Sequence, residues 1–160
     1  MSTVKQNMDI DGIREAMEVA DLSVAGGIPP RGAAIMTKDG EFISSSWNQV
    51  PSGMAVSEFR WLSPKGQSRV VVPAEVGAIC RALELTNHLR GATLYVVGLL
   101  PTGSSVDLIA KHGISRVVCC LPSPKEYWWR SGDEEKLALQ NAGVEVAMVD
   151  ARGMTLCNMQ

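Results

Sequence analysis

Basic residues are not in excess. The chain has 15 Lys and Arg against 17 Asp and Glu, a formal net charge of −2 and a pI near 5.7. A balance of this kind gives no general attraction to phosphate backbones or acidic membrane surfaces, so nucleic acid is not a favoured partner. Long hydrophobic runs are also missing: no window approaches the roughly 18 apolar residues that a membrane span requires. Residues 1–11 carry no basic stretch followed by an apolar region, and the expectation is a cytoplasmic protein with no membrane partner. The four cysteines, Cys80, Cys119, Cys120 and Cys157, follow neither a secreted framework nor a CxxC spacing. Cys119 and Cys120 are adjacent and would point to opposite faces of a strand, so the cysteines read as reduced, mostly buried thiols. What is present is a composition of 46% hydrophobic and 20% charged residues over 160 positions, with 15 Gly and 8 Pro spread along the chain. That excludes a disordered tail, a coiled coil and a collagenous repeat, and leaves a single globular domain over residues 1–160.

Changes of hydrophobic period and punctuation residues divide the chain. Ile10, Ile13, Met17, Ala20 and Val24 recur at helical spacing after candidate caps Asp9 and Asp11, and Gly26 with Gly27 ends the pattern. Residues 33–37 and 42–47 are apolar-rich runs separated by Lys38-Asp39-Gly40, a tight-turn signal that predicts an antiparallel hairpin. Residues 48–72, with Pro51, Gly53, Pro64 and Gly66, read as a long irregular loop, and such loops are usually functional or mobile. Pro73 suits the first position of a helix whose apolar stripe is Val76, Ile79, Cys80 and Leu83. A strand at 93–97, a helix at 104–112, a strand at 114–119, a helix from a Ser131/Glu134 capping box to Gly143 and a strand at 144–149 complete the order. Right-handed crossovers make the later strands parallel, so the prediction is a three-layer α/β/α sandwich with a five-stranded mixed sheet.

Pro30-Arg31-Gly32-Ala33-Ala34-Ile35, the hairpin and Trp47-Asn48-Gln49-Val50-Pro51-Ser52-Gly53 resemble the opening of cytidine and deoxycytidylate deaminases. Pro73-Ala74-Glu75-Val76-Gly77-Ala78-Ile79 is similar to the start of that family's HAE helix. Thr93-Leu94-Tyr95-Val96 leading to Pro101 is similar to the strand before its PCxxC motif, and residues 110–118 fall at the family's spacing after it. The resemblance covers residues 8–150 and implies the cytidine deaminase-like fold. In that family a zinc ion, held by the HAE histidine and the two PCxxC cysteines, activates water for attack on the pyrimidine ring. Here Pro73 takes the histidine position, and Thr102 and Ser105 take the cysteine positions after a one-residue insertion. Zinc sites use Cys, His and carboxylate ligands, so the expectation is no metal, no other cofactor and no zinc-dependent deamination. Glu75 stands where the family keeps its general acid/base, and Asn48 where deaminases contact the substrate sugar.

Each candidate has a plainer reading beside the functional one. Glu75 is either a first-turn carboxylate favoured by the helix dipole or an inward acid whose pKa rises on desolvation. Thr102, Gly103, Ser104 and Ser105 form either an ordinary N-cap turn or an anion site, with the helix that follows Pro73 aimed at the same point. Removing a zinc dication would leave two positive helix ends facing one cavity. Arg31 is either at the pocket entrance or solvated; Trp61 either covers a ligand or packs on the domain or in an interface. Trp128 and Trp129 favour packing or a homo-oligomer, and His88 and His112 read as helix C-terminal residues. Two functions remain open. One is a metal-independent enzyme, of hydrolase, lyase or isomerase type, using Glu75 on a small nucleotide-like or anionic substrate. The other is a catalytically inactive ligand-binding or regulatory protein of the same fold.

Overall fold

The hairpin forms where the Lys38-Asp39-Gly40 turn predicts it. β1 (Gly32–Met36) and β2 (Phe42–Trp47) pair antiparallel, closed by the Thr37 amide donating to the Glu41 carbonyl at 2.8 Å. The structure, a computed structural model, describes residues 2–23, 30–98, 101, 103–121, 133–150 and 155–157. Before the hairpin lies α1 (Ser2–Ala20); after it come α2 (Val56–Trp61), α3 (Pro64–Val70) and α4 (Ala74–Leu85). β3 (Thr93–Val97), α5 (Ser104–Lys111), β4 (Arg116–Leu121), α6 (Asp133–Asn141), β5 (Glu145–Asp150) and β6 (Thr155–Cys157) follow.

The strands form one mixed sheet in the order β2-β1-β3-β4-β5-β6, with β3, β4 and β5 parallel to one another. Five of these strands are the expected ones. The sixth, β6, pairs antiparallel with β5 and was not expected.

Alternation along the strands divides two cores. Ala33, Ile35, Leu94, Val96, Val117 and Cys119 face α4, α5 and α6, whereas Ala34, Met36, Tyr95, Val118 and Cys120 face α1. The three-layer α/β/α arrangement is therefore present, and Cys119 and Cys120 lie on opposite faces as expected. Both are buried free thiols, while Cys80 is an exposed one; the Cys157 side chain lies outside the description.

Several local expectations are corrected. The first helix begins at Ser2, so Asp9 and Asp11 are interior positions and not caps. Asp9 is instead buried under the sheet, where its two carboxylate oxygens accept from Arg116 Nη1 and Nη2 at 2.6 and 2.7 Å. The Tyr95 hydroxyl donates to the same carboxylate at 2.8 Å.

Residues 48–72 are no structureless loop. Ser63 caps α3 by accepting the Gly66 amide, Phe59 is fully buried, and Gln67 Nε2 donates to the Phe59 and Leu62 carbonyls. A two-way bridge between Gln49 and Val72 closes the base of this excursion. Ser131, Trp128, Trp129 and Val24 fall outside the described residues.

The buried face of α4 is Ala74, Glu75, Ala78, Ile79 and Ala82, one position off the expected stripe, with Cys80 exposed. Spacings of three and four from Glu75 lead to Ala78, Ile79 and Ala82, so the acid lies on the core side of its helix.

Candidate functional site

Pro73 is the N-cap of α4 and has no side-chain oxygen to receive the helix's free amides. Asn48, buried just after β2, supplies one from a distance in sequence: its Oδ1 accepts the Ala74 N–H at 3.1 Å. The Asn48 amide in turn donates to the Arg31 carbonyl at 3.4 Å. These links fix the start of α4 against the beginning of β1.

Glu75, the next residue, is only 2% exposed. Across from it, α5 begins at Gly103, whose φ of +57° and ψ of −131° suit a residue without Cβ. Ser105, in the first turn of α5 and also buried, donates its hydroxyl to Glu75 Oε1 at 3.0 Å. The two helix starts thus meet at one carboxyl group. They lie at the carboxyl ends of the parallel strands, the edge where α/β sheets usually hold their ligands.

Burial holds the Glu75 carboxyl above its ordinary value, opposed by a bond to its own backbone amide, the Ser105 hydroxyl and the charge of Arg31. A buried acid whose proton is held above its ordinary value can exchange it with a bound molecule. Burial lowers Arg31, with Glu75 and Cys119 acting the other way. The Cys119 thiol, on the floor of the same region, is pushed up by burial, by Cys120 and by Glu75, and stays a thiol.

The sequence candidates therefore divide. Glu75, Ser105, Asn48 and Arg31 belong to one neighbourhood, and Gly103 provides the turn into α5. Ser104 is exposed, and no hydrogen bond among the described residues joins it to Glu75. Trp61 is 89% exposed at the end of α2, so it does not pack on its own domain. Thr102 lies outside the described residues. The His88 ring accepts the Arg90 amide at 3.3 Å instead of serving the last helical carbonyls. Sequence reasoning did not place Cys119 at this site, although strand alternation could have done so, since it points to the side of the sheet covered by α4 and α5.

A cleft of about 460 Å³ lies elsewhere, between α5 and α6, lined by Gly103, Val106, Asp107, Glu134 and Glu135 among others. Its acidic residues disfavour an anion, and Glu75 is not part of it.

The family described as cytidine and deoxycytidylate deaminase zinc-binding region matches residues 6–121. The chain belongs to this deaminase family. Among solved structures it is similar to the dCMP deaminase of cyanophage S-TIM5 in apo form, with TM-score 0.67 and 19% identity, covering 89% of this chain and 98% of that one. The same phage enzyme in complex with dCMP and dUMP gives TM-score 0.66 and 21% identity over 86% and 93% of the two chains. RibD of Acinetobacter baumannii gives 0.60 and 24% over 89% of this chain and 35% of that one. At these identities the likeness establishes the shared cytidine deaminase-like fold. The comparison with curated proteins finds no match.

The described residues do not fit the zinc of the family's name. Pro73 has no donor atom, the Ser105 hydroxyl is engaged by Glu75, and no cluster of three His, Cys, Asp or Glu among the described residues could hold a metal ion. Among the described residues, no helix is long and apolar enough to cross a membrane.

Proposed function

We propose that this deaminase-family protein is a metal-independent enzyme that performs acid/base chemistry on a small nucleotide-like or anionic substrate, with Glu75 as the proton-transfer group. The observation that carries this reading is the Glu75 carboxyl itself, buried, held up in pKa and hydrogen-bonded by Ser105 where two helices begin. A carboxyl of raised pKa can act as acid and as base within one cycle. Ser105 orients it, Asn48 fixes the helix that carries it, and Arg31 supplies positive charge nearby.

The second reading, an inactive ligand-binding or regulatory protein, is favoured by one fact: at 2% exposure, with Ser105 already satisfied by it, Glu75 can serve as a helix-to-helix tie without reacting.

A panel of deoxycytidylate, cytidylate and small carboxylates, screened by thermal shift and then by proton NMR for turnover, separates the two. Conversion that disappears in Glu75→Gln supports the enzyme. Binding with no conversion, unchanged in Glu75→Gln, supports the binder and removes the catalytic role.

We infer further that the protein forms a homo-oligomer, as the family resemblance implies, with Trp61, 89% exposed on one copy, available to such an interface. Light scattering that reports a monomer at working concentration contradicts it.

A further inference from the structure

Arg31 is the charged residue of the site whose role the Glu75–Ser105 pair does not explain. Its backbone is clamped. The Ser23 hydroxyl donates to the Arg31 carbonyl at 2.7 Å and accepts the Arg31 amide at 3.0 Å, and Asn48 donates to the same carbonyl.

The side chain then runs past the end of β3. A Cβ at Gly98 would stand 3.0 Å from Arg31 Cγ, and Gly98 has a φ of +117°, so the passage is kept open by a residue with no side chain. Beyond that point Arg31 Nε is buried and has no hydrogen-bond partner. No ion pair among the described residues joins the guanidinium to a carboxylate; the pairs present are Arg14–Asp11, Arg116–Asp9 and Arg116–Glu145. Its charge nevertheless acts on Glu75 and on Cys119. A cation with an unfilled donor therefore stands where its charge acts on the carboxyl.

We propose that Arg31 is an oxyanion receptor: its guanidinium takes the carboxylate or phosphate group of a small acidic molecule at the carboxyl end of the parallel strands, beside Glu75. A guanidinium is suited to this task because its N–H groups lie in one plane and meet two oxygens of a carboxylate or phosphate together. An anion there meets the partly exposed guanidinium beside its unpartnered Nε–H. It also meets the positive ends of α4 and α5, whose first turns carry Glu75 and Ser105. The positive charge that a metal gives other family members comes, in this chain, from a side chain. Such a receptor selects an acidic substrate and places its anionic end at the residue that moves the proton.

The inference deepens the reading of Glu75 as the reacting group and rests on it only for the site's use, so the two can fail separately. Calorimetric titration with inorganic phosphate, acetate and deoxycytidylate tests it, comparing the wild type with Arg31→Met, Arg31→Lys and, as a control on α1, Arg14→Gln. The expected result is at least a tenfold loss of affinity in Arg31→Met, a smaller loss in Arg31→Lys and none in Arg14→Gln. Phosphate binding without acetate binding, or the reverse, tells which oxyanion the site prefers.

If Arg31→Met does not fold, the Nε–H resonance of Arg31 in the ¹⁵N-labelled wild type gives the answer directly, since it should shift with each binding anion. Equal affinity in Arg31→Met, an unmoved Nε–H resonance, or no binding of all three anions at tens of millimolar overturns the proposal. Anion binding through Arg31 without turnover of any substrate leaves the receptor in place and removes only the catalytic reading. Turnover of an uncharged substrate that persists in Arg31→Met does the opposite.

Discussion

Ser105 donates its hydroxyl to the Glu75 carboxyl at 3.0 Å, and this bond ties the first turn of α5 to the first turn of α4. Burial outweighs that bond, so the folded protein holds the Glu75 proton above the ordinary value of 4.5. The sign of the stability effect follows. Between the two values the native state binds more protons than the unfolded chain, so this group's contribution is full below 4.5 and is lost as pH rises through the folded value. Arg31 and Cys119, the other groups facing it, do not change charge in that interval. Glu75→Gln should therefore gain stability relative to the wild type as pH increases above about 4.5, the ordinary value, and the gain should level off once the wild-type acid has ionised. Thermal unfolding across a pH series checks this, and parallel profiles would show that the acid is not perturbed.

Ser105→Ala removes a hydrogen bond that pulls the Glu75 pKa down. Its loss should move the Glu75 titration further up and lower stability by about 0.5–1.5 kcal/mol, the net value of an intramolecular hydrogen bond, or more if the carboxyl is left unsatisfied. A carboxyl ¹³C titration of labelled protein reads the first effect and urea unfolding the second. A titration that stays put in Ser105→Ala would mean that the serine does not tune the acid.

At the other end of the sheet, Asp9 of α1 binds Arg116 of β4 through two oxygens, with the Asp9 side chain 1% and that of Arg116 12% exposed. Tyr95 adds a third bond, and a Cβ at Gly12 would collide with its ring, so α1 lies directly on β3. Burial, reinforced by the Asp9 charge, pushes the Tyr95 hydroxyl up and keeps it a neutral donor. Breaking a buried pair on one side leaves the other charge uncompensated, at about 3–5 kcal/mol. Asp9→Asn should fall towards that range and Tyr95→Phe near about 1 kcal/mol, since the carboxylate keeps its guanidinium. Denaturant unfolding that shows Asp9→Asn within about 0.5 kcal/mol of wild type, the ordinary range for a surface substitution, would contradict the clamp.

That clamp also marks the limit of reading this chain from its sequence. Asp9 looks like a cap because the signal for a cap is local, while its actual partner, Arg116, lies 107 residues away. Elements whose cause is local were legible: the Asp39-Gly40 turn, the strand that turns Cys119 and Cys120 to opposite faces, and the helix that follows Pro73. α2 and α3 were hidden by Pro51, Gly53, Pro64 and Gly66. Yet Ser63 followed by Pro64 is a cap and first-turn pair that announces α3. β6 spans only Thr155–Cys157, too short to show a period.

Of the site, the inward face of Glu75 and the approach of Ser105 followed from the family resemblance. The Asn48 cap on α4 and the unfilled Nε of Arg31 did not, because both depend on how separate segments meet. That Trp61 faces away from its own domain was likewise not legible, because an aromatic residue in a polar segment gives no sign of the direction in which its helix will turn.

Zinc needs donors that can be deprotonated or that carry a free lone pair. At the start of α4 the chain has Pro73, which offers none, and at the start of α5 it has Ser105, whose hydroxyl is given to Glu75. Cys119 is near and fully buried, but one sulfur does not by itself make a zinc site. Arg31 adds a positive charge that repels a dication from the same place. The purified protein should therefore contain zinc far below one equivalent per chain by elemental analysis, and EDTA should leave its melting temperature unchanged. Ser105→Cys alone should not restore binding, because a single new thiolate still lacks the two further ligands that a tetrahedral site requires. One zinc per chain in the wild type, together with a melting temperature that falls on chelation and recovers on adding zinc, would put a metal at the reacting centre and end the metal-independent reading of Glu75.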